Sequence, residues 1–523
     1  MKLKNIAIYG LMLAAATTFV ACDEWLSEEP SKSTKKTLKS TEQLDALLGN
    51  YSLFHQESVT PAYGTDDWGI APEFYTAKSG GVFNATSQLP YILYANEVDD
   101  ARYSVWQKEY SKIYYANMAI EQAMGLEGSE EDKANLKAEG HFLRAYSMFN
   151  LALAHTLYYT GSNGDELGLS LQALSFEDTP ARANLADTWA AIDADLQEAL
   201  KITAPLKGND GRRRVWRATT ASVNAFAARY YLYRGDLASA KSYAEKALAE
   251  YSTLSDYNQT MSFSQTTASY VINTKTGTEE KVTVYYPSTY NNRLSGAANF
   301  GKWFDMDGFY LARDMYSAHW WFVPSQDLVD TYAIDLPGGD TQNDLRFRYF
   351  FVEDFSLKRG CTLDPAFRWW GVMAYEMEAL DAGPSVAEMM LIKAECQARA
   401  GEYADAMKTI APLRKARIAT EVYTELTASS KDDAIKKVLQ ERRREMCFTM
   451  RWYDLKRLNA NDYAADDVTV TREYYEFNAA AGTVLVDKGV KTYTLEPNSR
   501  HYAIPIPKTE IAVGKGVIEQ NVY

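Results

Sequence analysis

The chain of 523 residues carries 69 acidic and 55 basic side chains, which gives a formal net charge of −14 at pH 7. This charge argues against a nucleic-acid partner, because a phosphate backbone would be repelled. The hydrophobic fraction of 46% and the charged fraction of 24% exclude a disordered or collagen-like chain, and the length predicts about three modules.

The N-terminus has the pattern of an export signal that ends at a lipidated cysteine. Lys2 and Lys4 precede a mostly apolar run that is short for a membrane span, so we interpret residues 1–21 as a signal peptide. The run ends in FVAC at Cys22, which resembles a bacterial lipobox, where cleavage leaves the cysteine as the lipidated first residue. Ordinary signal-peptidase cleavage at the upstream alanines is the alternative.

Residues 22–39 are predicted to be a tether between the lipid and the folded body. The acidic residues 23–29 resemble a surface-export signal of lipoproteins, with a solvated linker as the alternative. Beyond Cys22 no apolar run approaches the roughly 18 to 20 residues of a spanning helix. We therefore expect the folded part of the chain to be held at the membrane by its lipid alone. The basic residues of the tether are interpreted as exposed: Lys32, Lys35, Lys36 and Lys39.

Residues 40–250 are predicted to form an N-terminal helical region that carries ligand loops. Ser40 and Gln43 make a capping-box pattern at the first helix. Residues 52–101 are rich in Gly, Pro, Asp and aromatics without a helical period, which predicts long ordered loops of the kind that carry function. Apolar residues recur at helical spacing in four further blocks: 106–124, 133–156, 187–202 and 219–250.

A short pattern occurs twice, 166 residues apart, and indicates a helical-repeat scaffold. Residues 234–240 read RGDLASA and residues 400–406 read AGEYADA, each after an amphipathic helix. A helix, a glycine turn and a helix of small residues are typical of tetratricopeptide helix pairs. The sequence therefore predicts a mostly α fold with a tetratricopeptide-like helix-pair scaffold, and generic antiparallel helix packing is the alternative.

Between the two repeats, residues 251–381 are interpreted as an inserted loop-rich subdomain with short strands. Its clearest strand candidate is Lys281 to Tyr286. Residues 382–523 are predicted to form a C-terminal helical region. There, apolar and polar residues alternate in 468–475 and in 483–495, which predicts a short hairpin. An extended segment follows to the C-terminus.

Motifs for catalysis or cofactor binding are missing from the sequence. The five histidines form no H-E-x-x-H, the four cysteines form no C-x-x-C, and no G-x-S-x-G, Walker or G-x-G-x-x-G motif occurs. We therefore predict no enzyme, no metal and no cofactor. Residues 305–308 resemble part of a calcium loop, but an acidic turn is the simpler interpretation. A glycoside hydrolase stays the alternative, because a sequence does not give the separation of two carboxylates.

Two arginine clusters are interpreted as structural. Arg442 to Arg444 lie between Glu441 and Glu445 on a helix with an apolar face, which predicts a surface held by salt bridges. The other cluster precedes a helix and is expected to make contacts in a solvated loop or at the helix end; it comprises Arg212, Arg213, Arg214 and Arg217.

Two stretches outside the repeat helices combine aromatic rings with amides, carboxylates and an arginine. A carbohydrate site needs this mixture, because sugars present apolar C–H faces and polar rims. We name residues 63–75 the first aromatic stretch and residues 290–321 the second. Packing of a ring against the scaffold is the alternative for each member. The predicted ligand-binding residues are Tyr63, Asp67, Trp68, Tyr75, Tyr290, Asn292, Arg293, Trp303, Tyr310, Trp320 and Trp321.

The C-terminal region resembles the SusD/RagB family of surface glycan-binding lipoproteins. Residues 441–457, with ERRREMCF followed by RWYDLKR, are similar to the family's signature helix, although Thr449 and Met450 replace its E-G. Two further motifs are similar to those of the family. One is the P-S-x-x-L-V turn at 324–329, and the other is the C-terminal segment 504–523, which begins with IPIP and ends with QNVY. With the helix that begins at Trp106 and the lipobox, the resemblance covers nearly the whole chain.

The resemblance implies an outer-membrane lipoprotein that faces the exterior and carries a loop-built glycan site. It also implies a partner, a SusC-like TonB-dependent transporter to which the oligosaccharide is delivered without catalysis or cofactor. We interpret the motif residues Trp452, Tyr453 and Asp454 as scaffold, with Asp454 paired to an arginine. A helical-repeat scaffold that binds only protein partners is the remaining alternative.

Overall fold

Hydrophobic periodicity places most of the chain in helices, and the computed structural model confirms a mostly α fold. Cys22, the signal peptide and most of the tether lie outside the described residues. The structure describes residues 38–69, 89–99, 104–175, 180–265, 269–273, 278–282, 285–287, 308–317, 324–353, 361–362, 368–370, 378–475, 477–478, 483–484 and 489–523.

The longer helices pack as neighbouring pairs, in keeping with a tetratricopeptide-like scaffold. Helix α4 packs against α5, α7 against α8, and α12 against both α13 and α14. The helices are α1 (Thr41–Leu48), α2 (Tyr51–Phe54), α3 (Leu89–Ile92), α4 (Val105–Gln122), α5 (Glu130–His155), α6 (Leu185–Ala199), α7 (Thr220–Tyr233), α8 (Leu237–Glu250), α9 (Tyr257–Thr260), α10 (Gln326–Thr331), α11 (Leu345–Phe350), α12 (Val386–Arg399), α13 (Tyr403–Arg417), α14 (Lys431–Glu445), α15 (Arg451–Leu458) and α16 (Lys508–Val513).

The repeated glycine pattern lies at the turn of two of these pairs, as predicted. Gly235 ends α7 with φ = 76°, and Gly401 ends α12 with φ = 87°. Both values are left-handed, a region that glycine enters without the steric cost of a Cβ atom. The same turn therefore reverses the chain at α7–α8 and at α12–α13.

Side-chain caps fix several helix starts. Ser129, Ser385 and Ser430 each accept a hydrogen bond from the backbone N–H three residues later. The predicted capping box at Ser40 is wrong, because the Ser40 side chain makes no capping bond. Instead, the Gln43 side chain accepts from the backbone N–H of Lys39 at 2.8 Å.

The strands are short, and most of them pair locally. Strand β8 forms a three-stranded sheet with β1 on one side, in parallel, and β12 on the other, antiparallel. The strands are β1 (Gln56–Glu57), β2 (Leu167–Ser170), β3 (Arg182–Asn184), β4 (Phe263–Gln265), β5 (Ser269–Asn273), β6 (Glu279–Val282), β7 (Tyr285–Pro287), β8 (Asp314–Ser317), β9 (Phe351–Glu353), β10 (Cys361–Thr362), β11 (Arg368–Trp370), β12 (Glu378–Asp381), β13 (Val470–Tyr475), β14 (Phe477–Asn478), β15 (Thr483–Val484) and β16 (Val490–Leu495).

Two strand predictions have different outcomes. The C-terminal hairpin is confirmed, since β13 pairs antiparallel with β16 from Val470 opposite Leu495 to Tyr475 opposite Val490. The strand predicted at 281–286 is confirmed at 281–282 and 285–286, although 283–284 lie outside the described residues and the two parts pair differently. Its residues belong to two ladders, because β6 pairs with β5 whereas β7 pairs with β4.

Aromatic side chains fill the core between the N-terminal helices. Phe149 of α5 lies edge-to-face against Phe226 and Tyr233 of α7, with ring centroids 5.5 and 5.7 Å apart. Each such pair contributes about 0.5 to 1.5 kcal/mol beyond its buried area. Among the described helices, none combines the length and the apolar character needed to cross a membrane.

The arginine run of α14 is buried, which corrects the predicted salt-paired surface. Arg442 and Arg444 are 1% and 2% exposed. The expected pairing is present: Nε of Arg442 donates to Asp454 at 2.7 Å, and Nη2 of Arg444 donates to Glu441 at 2.7 Å. Because α14 packs against other elements on its arginine side as well as its apolar side, the pairs lie inside the molecule.

In the other arginine cluster, Arg217 makes the predicted helix-end contacts. It donates to Glu139 at 2.6 Å and to Asp45 at 2.8 Å. Arg213 is buried rather than solvated, and its guanidinium stacks 4.7 Å from the ring of Tyr251.

Candidate functional site

The described ligand-binding candidates are buried in the framework. Tyr63, Asp67, Trp68 and Tyr310 are between 0% and 3% exposed. In this position they offer no free face to a ligand, which corrects their assignment as contact residues. The other candidates stay a prediction because they lie outside the described residues: Tyr75, Tyr290, Asn292, Arg293, Trp303, Trp320 and Trp321.

Each of the four buried candidates has an internal partner. Tyr63 and Trp68 pack edge-to-face with centroids 5.8 Å apart. The hydroxyl of Tyr310 donates to the carbonyl of Tyr251. Composition marked these residues as belonging to loops, but it carries no information on which way a ring in an ordered loop points.

Two segments that are distant in sequence meet at one place. They are Asp66–Gly69, in the first aromatic stretch, and Pro324–Asp327, which follow the second aromatic stretch. We call this place the loop junction. Trp68 forms a β-bridge with Pro324. The backbone N–H of Ser325 donates to the carbonyl of Asp67 at 2.8 Å. The two segments approach so closely that a Cβ atom on Gly69 would lie 2.8 Å from the Pro324 carbonyl oxygen. Gly69 and Pro324, at which the two described segments reach the limits of the described residues, therefore lie side by side.

Arg443 of α14 ties both sides of the loop junction together. Its Nε donates to Asp67 at 2.7 Å, and its Nη1 donates to Asp327 at 2.7 Å. The second carboxylate oxygen of Asp67 accepts from the backbone N–H of Phe448 at 2.9 Å. One guanidinium thus fixes the position of the first segment relative to the second.

Arg451 of α15 holds the neighbouring carboxylate. Its Nε and Nη2 donate to the two oxygens of Asp66 at 2.7 and 2.6 Å, a bidentate pair. Burial opposes ionisation of Asp66, but Arg451 and Arg443 outweigh it and lower the pKa of Asp66 to about 2. Asp66 is therefore ionised at neutral pH, whereas burial raises the pKa of the neighbouring Asp67.

Arg472 of β13 joins described residues that precede and follow the segment 70–88 in sequence. Its Nη1 donates to the carbonyls of Tyr63 at 2.8 Å and Ile92 at 3.0 Å, on opposite sides of that segment. Its Nη2 donates to the carbonyls of Thr65 and Trp68. Sequence reasoning missed Arg472, because a lone arginine on a hairpin gives no local signal of such a role.

A cleft of about 90 Å³ lies beside the junction, and we call it the aromatic cleft. Met446, Cys447 and Thr449 on its wall flank Phe448, which contacts Asp67 at the junction. The guanidinium of Arg417 stacks on the ring of Tyr257 at 3.8 Å. The lining thus brings aromatic rings and polar groups together, although the Arg417 guanidinium covers one face of Tyr257. Its lining includes Tyr257, Phe309, Phe350, Asp381, Arg417 and Glu445.

The described residues give no sign of a resident metal site. Within them, no three His, Cys, Asp or Glu side chains are placed to hold a metal ion. Cys447, on the wall of the aromatic cleft, is a free thiol. Burial raises the pKa of that thiol to a range where the thiolate, the nucleophilic form, is scarce.

Comparison with known families gives two matches along the chain. The profile described as "SusD family" matches residues 386–523. The profile described as "Starch-binding associating with outer membrane" matches residues 24–232. No curated protein matches the chain.

Solved structures share the fold at low sequence identity. A SusD-like carbohydrate-binding protein from Bacteroides vulgatus is 17% identical, with a TM-score of 0.56 over 92% of this chain and 97% of that one. A SusD superfamily protein from Bacteroides fragilis is 15% identical, with a TM-score of 0.59 over 91% and 98%. A laminarin-binding SusD-like protein is 17% identical, with a TM-score of 0.55 over 92% and 99%.

Proposed function

Because this chain belongs to the SusD/RagB family, which is associated with the outer membrane, we propose that it is a cell-surface lipoprotein that captures oligosaccharides by aromatic stacking. In this proposal it delivers them to a SusC-like TonB-dependent transporter and catalyses no reaction. The laminarin-binding relative supports a glycan as the ligand.

The loop junction is the observation that carries the proposal. The bridge between Trp68 and Pro324 brings together two segments that are more than 250 residues apart in sequence. Tyr75 follows one side of this bridge, and Trp320 and Trp321 precede the other. Rings from both stretches can therefore contribute to a single surface next to the aromatic cleft.

The expected affinity is modest. Three stacked rings at roughly 1 to 1.5 kcal/mol each and a few hydrogen bonds at about 1 kcal/mol give a Kd in the micromolar to millimolar range. Such an affinity favours capture followed by release to a transporter, whereas a very tight complex would retain the sugar.

Membrane attachment is proposed to use Cys22 and the tether. Several acyl chains on one cysteine would anchor the protein stably, because each buried methylene contributes about 0.8 kcal/mol and a single chain holds only marginally. Replacement of Cys22 by Ser should move the protein from the membrane fraction to the soluble fraction. Unchanged membrane retention of that variant would contradict the lipid anchor.

The test of ligand binding is a glycan array on the chain from Asp23 to Tyr523, followed by calorimetry with the best ligand. The variant Trp303→Ala/Trp320→Ala should lose binding without a change in melting temperature. Tyr403→Ala is the control, because this tyrosine is an exposed aromatic at the start of α13. Equal losses in both variants would contradict the site, and sugar release from the ligand would instead support the hydrolase alternative.

Delivery is tested by purification from membranes. A large TonB-dependent barrel should copurify with the wild-type protein and also with the binding-deficient variant, since the proposal assigns these rings to the glycan and not to the transporter. Copurification of the barrel with a wild-type protein that binds no glycan would support the scaffold alternative.

A further inference from the structure

Seven charged side chains lie together in the interior where α11, α13 and α14 meet, and we call them the buried arginine cluster. Each of them is at most 11% exposed, and four line the aromatic cleft. Four are guanidinium groups and three are carboxylates, so the cluster has one positive charge in excess. The members are Asp344, Arg346, Arg414, Arg417, Glu441, Arg444 and Glu445.

Glu441 is the carboxylate that most of these arginines share. Its Oε2 accepts from Nη1 of Arg414 at 2.8 Å and from Nη2 of Arg444 at 2.7 Å. Its Oε1 lies 2.7 Å from Nη1 of Arg346. Burial opposes the ionisation of Glu441, but these arginines outweigh it and hold the pKa of Glu441 well below its usual range. One negative charge is therefore divided among three cations.

The other two carboxylates of the cluster are engaged elsewhere. Asp344 accepts from Nε and Nη2 of Arg346 at 2.9 and 2.6 Å. Glu445 accepts from Nη2 of Arg417 at 2.9 Å and from Nη1 of Arg346 at 3.0 Å. The two remaining arginines of the cluster therefore have only Glu441 as an ion-pair partner among the described residues.

These two arginines, Arg414 and Arg444, also hold donors that reach no acceptor. Nε and Nη2 of Arg414 and Nε of Arg444 are buried and form no hydrogen bond within the part of the chain that the structure describes. Both side chains are 2% exposed, so bulk solvent does not replace the acceptor. Native proteins rarely leave such donors unpaired, because they have lost their hydration. The three nitrogens therefore indicate a bound group that accepts hydrogen bonds.

A neighbouring group of buried ion pairs does not offset the excess charge. This group lies around α12 and α15 and is itself balanced, with four arginines and four carboxylates. Its members are Arg229, Glu388, Glu395, Arg399, Arg442, Asp454, Arg457 and Asp466.

Three further carboxylates near the cluster are wholly or partly open to solvent, which screens their charge. Asp327 gives the loop junction one carboxylate more than its two arginines, but its side chain is 72% exposed. Glu425, which lies near Tyr423 as Arg414 does, is exposed. Asp381 lines the cleft half-buried, and no ion pair between described residues joins it to the cluster.

We propose that the buried arginine cluster binds one small monovalent anion, of the size and charge of chloride, at the unpaired donors of Arg414 and Arg444. Such an ion supplies both the missing acceptor and the missing negative charge, whereas a water molecule supplies only the acceptor. Arg444 lines the aromatic cleft, whose volume of about 90 Å³ exceeds the roughly 10 to 15 Å³ that a water-sized occupant needs. The cleft thus gives a small ion access to the cluster. The proposal does not depend on glycan binding, so its failure would leave the proposed function unchanged.

Bromide is the crystallographic probe, because it replaces chloride and its anomalous scattering identifies it. Crystals of the chain from Asp23 to Tyr523 are soaked in sodium bromide. We expect one anomalous peak within hydrogen-bonding distance of the unpaired nitrogens of Arg414 and Arg444. Absence of an anomalous peak at this position would overturn the proposal.

A solution experiment tests the charge argument. Urea unfolding is measured at constant ionic strength while chloride replaces gluconate, an anion too large for the buried donors. With a Kd of about 20 mM, chloride at ~200 mM should shift the unfolding equilibrium roughly tenfold toward the folded chain. Equal unfolding curves in the two salts would overturn the proposal.

Two variants on α13 form a matched pair. Arg414→Gln makes the guanidinium and carboxylate groups of the cluster equal in number and should abolish the chloride dependence. Lys408→Gln removes the same charge from a side chain that is 77% exposed, and it should keep the dependence. The same chloride dependence in both folded variants would contradict the anion site. Should Arg414→Gln fail to fold, the bromide position in the wild-type crystal decides the question.

Discussion

Arg472 and Ile92 are 380 residues apart in sequence, yet Nη1 of Arg472 donates to the carbonyl of Ile92 at 3.0 Å. The same atom donates to Tyr63, on the other side of residues 70–88. The residues on either side of 70–88 are therefore joined by a side chain from the C-terminal hairpin, in addition to the Tyr94 hydroxyl, which donates to the carbonyl of Gly64 at 3.0 Å.

Replacement of Arg472 by Met should destabilise the protein by about 2 to 4 kcal/mol, because several buried carbonyls lose their donor. Urea unfolding of the two proteins measures the difference. Arg472→Lys is the matched variant, and it should recover only part of the loss, since one ammonium group cannot reach carbonyls on both sides of the loop. Full stability of Arg472→Met would show that the loop base is held by other contacts.

Asp66 should make the protein sensitive to acid. Its pKa is lowered on folding, from an ordinary value near 3.8 to about 2. Its stabilising contribution is therefore fully present above about pH 4 and is lost as the pH falls through 2, with a size of roughly 2 kcal/mol. Unfolding free energies measured between pH 5 and pH 2 should fall less steeply in Asp66→Asn than in the wild type. Parallel curves would contradict this assignment.

The buried pair of Arg229 and Glu388 should be essential for folding stability. The two side chains are 1% and 0% exposed, with Nη2 of Arg229 2.7 Å from the carboxylate. Glu388→Gln leaves a buried guanidinium without its counter-charge and should cost about 3 to 5 kcal/mol in chemical denaturation. The exposed pair of Lys408 and Asp405 is the comparison, and Asp405→Asn should change stability by less than about 1 kcal/mol.

The two turn glycines should resist substitution because of their backbone conformation. Gly235→Ala and Gly401→Ala place a Cβ without a clash, at 3.8 Å from the Tyr158 hydroxyl and in open space respectively, but both lie in the left-handed region, which costs roughly 1 to 2 kcal/mol each. Gly125→Ala is the control, since a Cβ there meets no atom within 4 Å and its φ is not in that region. Equal melting temperatures for all three variants would contradict a conformational cost at the turns.

Much of the helical scaffold could be predicted from the sequence, because its signals are local. Apolar spacing indicated the long helices, the glycine pattern indicated the turns at Gly235 and Gly401, and alternation indicated the hairpin of β13 and β16. These features depend on neighbours within about one to two dozen residues, which a single sequence displays directly.

The candidate site was harder to predict, since its geometry depends on distant partners. Trp68 and Tyr310 have the composition of sugar-stacking residues, but packing against other segments turns both of them inward. Arg443 was expected at a surface because its helix is strongly charged. Its partners, Asp67 and Asp327, are 376 and 116 residues away, and no spacing rule connects them.

The closure of an early loop by a late side chain constrains the order in which the protein can mature. Because synthesis runs from the N-terminus, Tyr63 and Ile92 are made long before Arg472, so their carbonyls lack this donor until the last hairpin forms. We expect a chain truncated before residue 470 to form helix pairs and yet to be cleaved by protease between residues 63 and 92. The two ends of this stretch would then be joined by Arg472 only when synthesis of the chain is almost finished.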